Sequence, residues 1–299
     1  MTEAPLIGLS STPPRPVVDA HQHFWDPYSA HYPWMTGPYE PLVRRFGPAD
    51  LAPEIEACQV DATIVVQARQ DLDETRQLLT IAADTAWVAG VVGWVDLTEP
   101  QVSDTIDSLR EGPGGEHLVG IRHLVHDEPD KDWLLRPEVM RGLQAVDRAG
   151  LAYDLLIRSR EIPGALEVSR RFPGLRLVVD HLAKPPVATG DLEPWATLIE
   201  GFRGLGNVTC KVSGLVTEAS WSTWEPLDLV PYVQVAVEVF GPDRLMFGSD
   251  WPVCLLAGTY AEVHAAALTI FHGLLGDDLD SVLGGCAVRT YLDRGASSS

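Results

Sequence analysis

The sequence predicts a single-domain α/β chain folded as a (β/α)₈ TIM barrel, and three observations carry that prediction. Eight short runs rich in β-branched residues are spread along the chain. Amphipathic stretches with helical spacing separate them. Ionisable residues gather where several of these runs end, as they do on the functional face of a barrel. The 299 residues suit one barrel of about 250 residues with insertions. An open doubly wound sheet would carry a Gly-rich phosphate turn after its first strand, and none follows here.

The expected strands, in order, are VVDAHQHF (17–24), ATIVVQA (62–68), VAGVVGWVDL (88–97), LVGIRHLV (118–125), AYDLLIR (152–158), LRLVVDHL (175–182), VTCKVSGL (208–215) and RLMFGSDW (244–251). They read as near-continuous apolar runs, the pattern of parallel strands covered on both faces. Between them, DLDETRQLLTIAADT places Leu72, Leu78, Leu79 and Ala82 at helical spacing. RPEVMRGLQAVDRAG puts Val139, Leu143 and Val146 on one face, before Gly150 ends the helix. A long aromatic-rich segment with several prolines follows the first strand, and a Trp-bearing insertion, VTEASWSTWEPLD, follows the seventh; ordered loops of such length are usually functional. The barrel is expected over 17–293, with residues 1–16 and 294–299 as frayed tails.

Asp and Glu number 42 against 22 Lys and Arg, a formal charge of −20, and no basic cluster interrupts the excess. Nucleic acid and anionic membranes are therefore excluded as expected partners. The start of the chain lacks a basic segment followed by an apolar one, and no run approaches the roughly 20 apolar residues of a membrane span. Cys58, Cys210, Cys254 and Cys286 lie far apart with no CxxC pair, which fits buried free thiols in a reducing compartment. A soluble cytoplasmic protein is expected, with its subunit number left open.

The strand ends hold the candidate chemistry. His21 and His23 are two apart, so the pleat points both imidazoles the same way. Such a pair also occurs as hydrogen-bonded core histidines, but here two later strands end in His181 and in Asp250. Together they offer three nitrogens and a carboxylate, a set suited to one divalent ion such as zinc with a position open for water. Asp180 precedes His181 on an alternating strand and is expected to face the other side in a structural role. Arg122 and Lys184 are cations at strand ends, and Lys184 is a candidate for substrate binding. Trp25, Trp34, Trp94 and Trp251 could stack on a sugar ring or serve barrel packing. Gln67, His123 and Asp154 are further polar candidates for substrate binding.

The segments VVDAHQHFWDP, GVVGWVDL, LVGIRHLVHDEPD, VVDHLAKPP, CKVSGLVTEA and DRLMFGSDWPVC resemble the amidohydrolase superfamily, specifically its sugar-lactonase branch of L-fuconolactonases and L-rhamnonolactonases, over residues 17 to 293. The resemblance implies a catalytic centre of His21, His23, His181 and Asp250. It implies hydrolysis of a sugar-acid lactone to the aldonic acid; for that reaction Asp250 is the candidate general base and then acid, and Arg122, His181 or Lys184 are the candidate cationic donors to the developing oxyanion. It implies one divalent metal, zinc first, although the branch also includes metal-independent lactonases. Binuclear superfamily members end strand four in a bridging Lys or Glu and strand five in His; this chain has Arg122-His123 and Ile157-Arg158-Ser159 there, so a second ion is not expected. Cys286 stands where relatives often show Asn, a departure expected to concern helix capping. On the same barrel, a metal-dependent ester or amide hydrolase or an aromatic-acid decarboxylase is the alternative. A non-catalytic binding barrel would be expected to have lost one of the four central residues.

Overall fold

The structure is a computed structural model that describes residues 16–293. The expected tails lie outside the described residues, apart from Pro16. Eight strands form one parallel sheet in sequence order: β1 (Val18–Gln22), β2 (Ala62–Val66), β3 (Val88–Gly93), β4 (Leu118–His123), β5 (Ala152–Leu155), β6 (Leu177–Val179), β7 (Val208–Val212) and β8 (Leu245–Phe247). The sheet curls round so that β8 returns to β1 through a parallel bridge between Gln22 and Trp251. His23 N–H donates to the Trp251 carbonyl at 2.7 Å, and Asp250 N–H donates to the His21 carbonyl at 2.8 Å.

Each strand lies inside its expected run and most stop short of it. The apolar residues beyond the ends, such as Val95, Leu97, Ile157 and Leu182, stay buried as packed loop, and composition alone does not separate packed loop from strand.

The helices are α1 (Pro48–Ala57), α2 (Leu72–Asp84), α3 (Val102–Glu111), α4 (Pro137–Arg148), α5 (Ile162–Arg171), α6 (Trp195–Ile199), α7 (Leu215–Glu218), α8 (Pro226–Phe240) and α9 (Tyr260–Leu275). The α2 helix begins where the Asp71 carboxylate accepts from Asp73 N–H and Glu74 N–H, satisfying donors that have no partner within the helix. It buries Leu78, Leu79 and Ala82, while α4 buries Val139, Leu143 and Val146, the faces their spacing predicts. Among the described residues, no helix is long and apolar enough to cross a membrane. Cys58 is half-buried, the other three cysteines are buried, and all four are free thiols.

Two apolar layers result. One lies between strands and helices. The other fills the barrel with Val18, Ala20, Val92, Val178 and Met246, joined by Cys286, Ala287 and Tyr291 from the last segment of the described chain. That segment packs close to the start of β1: a Cβ on Gly284 would meet the Pro16 carbonyl oxygen at 1.8 Å, so only glycine fits there. Cys286 stands at the C-cap of the helical turn Ser281–Gly285, and its side chain is part of the barrel filling.

The long segment after β1 folds back on itself through an antiparallel bridge between Trp25 and Phe46. Its aromatic rings pack edge to face, Trp25 on Trp34 at 5.4 Å and on Phe46 at 5.6 Å. Tyr39 then meets Trp221, from the insertion after β7, at 6.0 Å. The two insertions foreseen from sequence thereby touch each other.

Candidate active site

Closing the barrel brings the ends of β1, β4, β6, β7 and β8 to one point. The β1–β2 register shifts between Asp19 and Gln22, directly ahead of the paired histidines, and such irregularities re-aim side chains. Asp19 then ties β1 to β8: Oδ1 accepts from His21 N–H at 3.1 Å and Ser249 N–H at 2.9 Å, and Oδ2 accepts from Tyr260 Oη–H at 3.1 Å. Burial pushes the Asp19 carboxyl up to about 6 in spite of these donors.

After β6 the chain makes a left-handed turn in which His181, Leu182, Ala183 and Lys184 all have φ between 52° and 58°. Each such non-glycine residue costs roughly 1–2 kcal/mol, and backbone outliers of this kind cluster at functional sites. Asp250 is also left-handed, at φ 58°. The turn corrects the expectation for Asp180. Alternation stops at Val179, so Asp180 and His181 both reach the centre instead of facing opposite sides.

The three imidazoles converge on Asp250. Its Oδ1 lies 3.4 Å from His23 Nε2, 3.7 Å from His21 Nε2 and 3.9 Å from His181 Nε2, and the two Nε2 atoms of His21 and His23 are 3.2 Å apart. Each imidazole is held by partners behind it. His23 Nδ1 sits 2.7 Å from the Val66 carbonyl, which can only accept, so Nδ1 carries the proton and Nε2 presents a lone pair. His21 Nε2 faces Arg122 Nη1 at 3.3 Å and His23 Nε2 at 3.2 Å, while its Nδ1 lies 3.4 Å from Asp180 Oδ1 and 3.3 Å from Lys211 Nζ. His181 Nδ1 is held by Ser213 Oγ at 2.8 Å.

Two imidazole nitrogens and a carboxylate oxygen facing one another are a ligand set that suits a cation. His21, His23 and Asp250 offer ligand atoms within 4.8 Å of one another, and each imidazole is oriented from behind, as metal ligands are. The residues fit one divalent ion. Arg122 and Lys211 place positive charge on either side of the His21 imidazole.

Beneath the histidines, Lys211 is fully buried, with Nζ 2.6 Å from Asp154 Oδ2, 3.1 Å from Asp180 Oδ1 and 3.3 Å from His21 Nδ1. Tyr291 Oη–H donates to Asp154 at 2.8 Å. Arg122 Nη1 donates to Asp180 Oδ2 at 3.1 Å, and its Nη2 donates to the Gln67 carbonyl. Burial pushes the Asp154 carboxyl up to about 6, against the pull of Lys211. Burial also holds the His181 imidazole down at about 4, so it is neutral at neutral pH. The same burial by itself would push the Asp250 carboxyl up, but the imidazoles around it, His181 foremost, outweigh burial and hold it below the usual carboxylate range.

Above this centre opens a cleft of about 240 Å³, walled by His23, Trp34, Tyr39, Arg122, His181, Lys184 and Asp250, with Ala68, His126, Asp127, Arg158, Thr217 and Glu218. Lys184 Nζ donates to Glu218 Oε1 at 2.6 Å. His21 lies buried under the floor. Of the side chains expected to bind substrate, the structure brings Trp34 and Lys184 to the cleft wall.

The other expected substrate contacts are placed elsewhere. Asp154 is sequestered below by Lys211 and Tyr291, because it sits inside β5 and not at its end. Trp94 Nε1–H donates to His123 Nδ1 at 3.1 Å, while His123 Nε2–H donates to Glu128 Oε1 at 2.7 Å and the ring stacks on Trp133 at 4.0 Å; both nitrogens of His123 are spent on structure. Gln67 is buried against the Arg122 backbone. Trp251 packs on Phe24 and Phe46. Trp25 gives its indole N–H to the Leu42 and Arg44 carbonyls.

Lys211 is the residue that reading the strand ends left without a role, although a lysine within an apolar parallel strand must find a buried counter-charge. Tyr39 lies in a short helical turn after β1, Arg158 just beyond β5 and Glu218 at the end of the four-residue α7, segments too short for periodicity to mark them.

One wall is held by a titratable support. Glu74 Oε2 accepts from Ala68 N–H and Arg69 N–H, both at 2.9 Å, and the Ala68 carbonyl holds the Trp34 indole N–H at 2.9 Å. Burial pushes the Glu74 carboxyl up from 4.5 to about 7. The folded state then binds this proton more tightly than the unfolded state, so the contribution is full below pH 4.5 and is lost as pH rises through 7. Replacing Glu74 by Gln removes that dependence. The melting temperature of Glu74→Gln relative to the parent should climb between pH 4.5 and about 7.5 and then level, a change of at most about 3 kcal/mol; a difference that stays flat from pH 5 to 9 would show that Glu74 ionises normally.

A profile of the amidohydrolase family matches residues 18–292. The chain is 40% identical over 248 residues to an L-fucono-1,5-lactonase of Burkholderia ambifaria, covering 83% of this chain and 84% of that protein. It is 38% identical over 285 residues to an L-fucono-1,5-lactonase of Burkholderia multivorans, with 92% and 95% covered. Among solved structures, an amidohydrolase from Burkholderia multivorans with bound zinc superposes with a TM-score of 0.87 at 36% identity, covering 92% of this chain and 99% of that one. The chain belongs to the amidohydrolase family, and with this barrel and these relatives it is an enzyme of the hydrolase class.

Proposed function

We propose that this protein opens a sugar-acid lactone of the L-fucono-1,5-lactone kind to its aldonic acid. The observation that carries the reading is the Asp250 carboxylate, placed on the floor of a cleft wide enough for one sugar ring, with Oδ1 within 3.9 Å of three imidazole nitrogens. The relatives named above act on such a lactone, and the resemblance of the sequence motifs agrees.

In this reading Asp250 takes a proton from the water that attacks the lactone carbonyl and returns it to the ring oxygen as the tetrahedral species collapses, one carboxylate serving both steps. Arg122 and His181 flank the place where the oxyanion forms, and donors at such a place stabilise it by several kcal/mol when water is excluded. Trp34 offers an apolar ring face, and the Lys184–Glu218 pair offers a donor and an acceptor to sugar hydroxyls. A divalent ion held by His21, His23, His181 and Asp250 would polarise the carbonyl and acidify water. A small-molecule substrate, no nucleic-acid or membrane partner and a cytoplasmic location complete the reading.

The test is initial-rate hydrolysis of a panel of five- and six-membered aldonolactones, followed by proton release and by identification of the acid, with and without a chelator. Turnover of an L-fucono- or similar lactone with stoichiometric aldonic acid is expected. Turnover of simple esters, amides or aromatic acids in its place would move the assignment to the ester or amide hydrolases or the decarboxylases that share this barrel.

A further inference from the structure

We infer that Arg122 is a built-in competitor for the metal position: its guanidinium and a divalent ion take the same lone pair, on His21 Nε2, in turn. His21 is fully buried. Its Nδ1 is enclosed between Asp180 Oδ1 at 3.4 Å and Lys211 Nζ at 3.3 Å, whereas Nε2 lies 3.2 Å from His23 Nε2 and 3.7 Å from Asp250 Oδ1, so Nε2 is the nitrogen placed to ligate with them. Arg122 Nη1 stands 3.3 Å from that atom. A guanidinium has no lone pair and never loses its proton in a protein, so this contact is a donor on an acceptor, occupying the electrons a metal needs. The same imidazole has a second cation behind it, Lys211 Nζ at 3.3 Å from Nδ1. Two permanent positive charges beside one ligand oppose a dication there.

The guanidinium also has the means to leave. Leaving means giving up Asp180 Oδ2 and the Gln67 carbonyl, but among the described residues its Nε has no hydrogen-bond partner and Arg122 forms part of the cleft wall, so the path open to the head group runs toward the cleft while Lys211 continues to neutralise Asp180. Lys211 has no such path, enclosed between Asp154 and Asp180. Exchange at His21 Nε2 therefore falls to Arg122. With the guanidinium on His21, the centre is a metal-free arrangement of neutral imidazoles beside a carboxylate; with the guanidinium displaced, His21, His23 and Asp250 become available as a ligand set.

The experiment measures zinc affinity of the apo-protein by competition with a fluorescent zinc chelator, for the parent, Arg122→Gln and His21→Asn, each checked by circular dichroism. Arg122→Gln is expected to bind zinc at least about tenfold more tightly than the parent, since a buried positive charge near the ion is removed, and His21→Asn more weakly. Equal or weaker binding by Arg122→Gln overturns the inference. Should that variant fail to fold, crystals of the parent protein grown without metal and then soaked in zinc give the second reading. Arg122 Nη1 found beyond hydrogen-bond reach of a zinc-bound His21 supports the exchange, and Nη1 still on that nitrogen with zinc bound there overturns it. Neither measurement uses a lactone, so failure here leaves the hydrolysis assignment standing, and the reverse also holds.

Discussion

Asp250→Asn is expected to lower kcat for lactone hydrolysis by roughly 10³-fold or more, at the upper part of the range seen when a proton-transfer group is removed, with KM changed by only a few-fold. The split follows from the geometry. The ring is held by the cleft walls, whereas Asp250 acts on the attacking water and the leaving oxygen. Asparagine is nearly isosteric with aspartate and tolerates the left-handed φ of 58° at this position about as well, so the backbone that presents the side chain is preserved. Steady-state kinetics on the best lactone of the panel decides it. A loss of tenfold or less would mean that Asp250 does not carry the proton, and a rise in KM with kcat intact would recast it as a binding residue. In the parent enzyme, kcat/KM should fall off only toward pH 4 and below, because Asp250 is held ionised and His181, at about 4, becomes charged only there.

The largest effect on stability is expected at Lys211, not at the histidines. Lys211, Asp154 and Asp180 are all completely buried, and the ammonium touches both carboxylates, at 2.6 Å and 3.1 Å. Lys211→Met keeps most of the side-chain volume but leaves those carboxylates short of their shared counter-charge. Breaking a buried ion pair from one side costs about 3–5 kcal/mol. With an unfolding entropy of about 2.1 cal/mol/K per residue, that is a drop of roughly 5–8 °C in melting temperature. The double variant Lys211→Met/Asp154→Asn should recover part of the loss, because one uncompensated charge goes with it. Calorimetry on the parent, both single variants and the double variant closes the cycle. A Lys211→Met protein melting within about 2 °C of the parent would show that Asp154 and Asp180 are satisfied without the lysine.

Much of the site was legible in sequence because it rests on position within elements. The strand runs, α2 and α4 were marked by apolar spacing, and His21, His23, His181 and Asp250 were marked by standing where strands end. The misplaced residues share a cause. Asp154 and Gln67 interrupt apolar runs, yet whether such a group faces a cleft or a buried lysine depends on depth along the strand and on what the neighbouring strand presents. Trp94, Trp251 and His123 stand beside strand ends, but rings of that size are taken up by packing when a partner is near, as Trp133 is to His123. Asp180 turns to the centre because alternation ends with β6 at Val179, a boundary that composition does not mark.

The sequence by itself determined the barrel, the order of its strands and the four residues at its centre, since alternation, helical spacing and turn chemistry are local properties. Only the tertiary structure decided that Arg122 sits on His21, that Lys211 lies between two carboxylates, and that Tyr291 closes the network from the end of the described chain. These contacts join residues 101, 57 and 137 positions apart, and they exist only once β8 has come round to β1 and a left-handed turn has carried the chain off β6. The cost of burying each charge is met by a partner that no local pattern names.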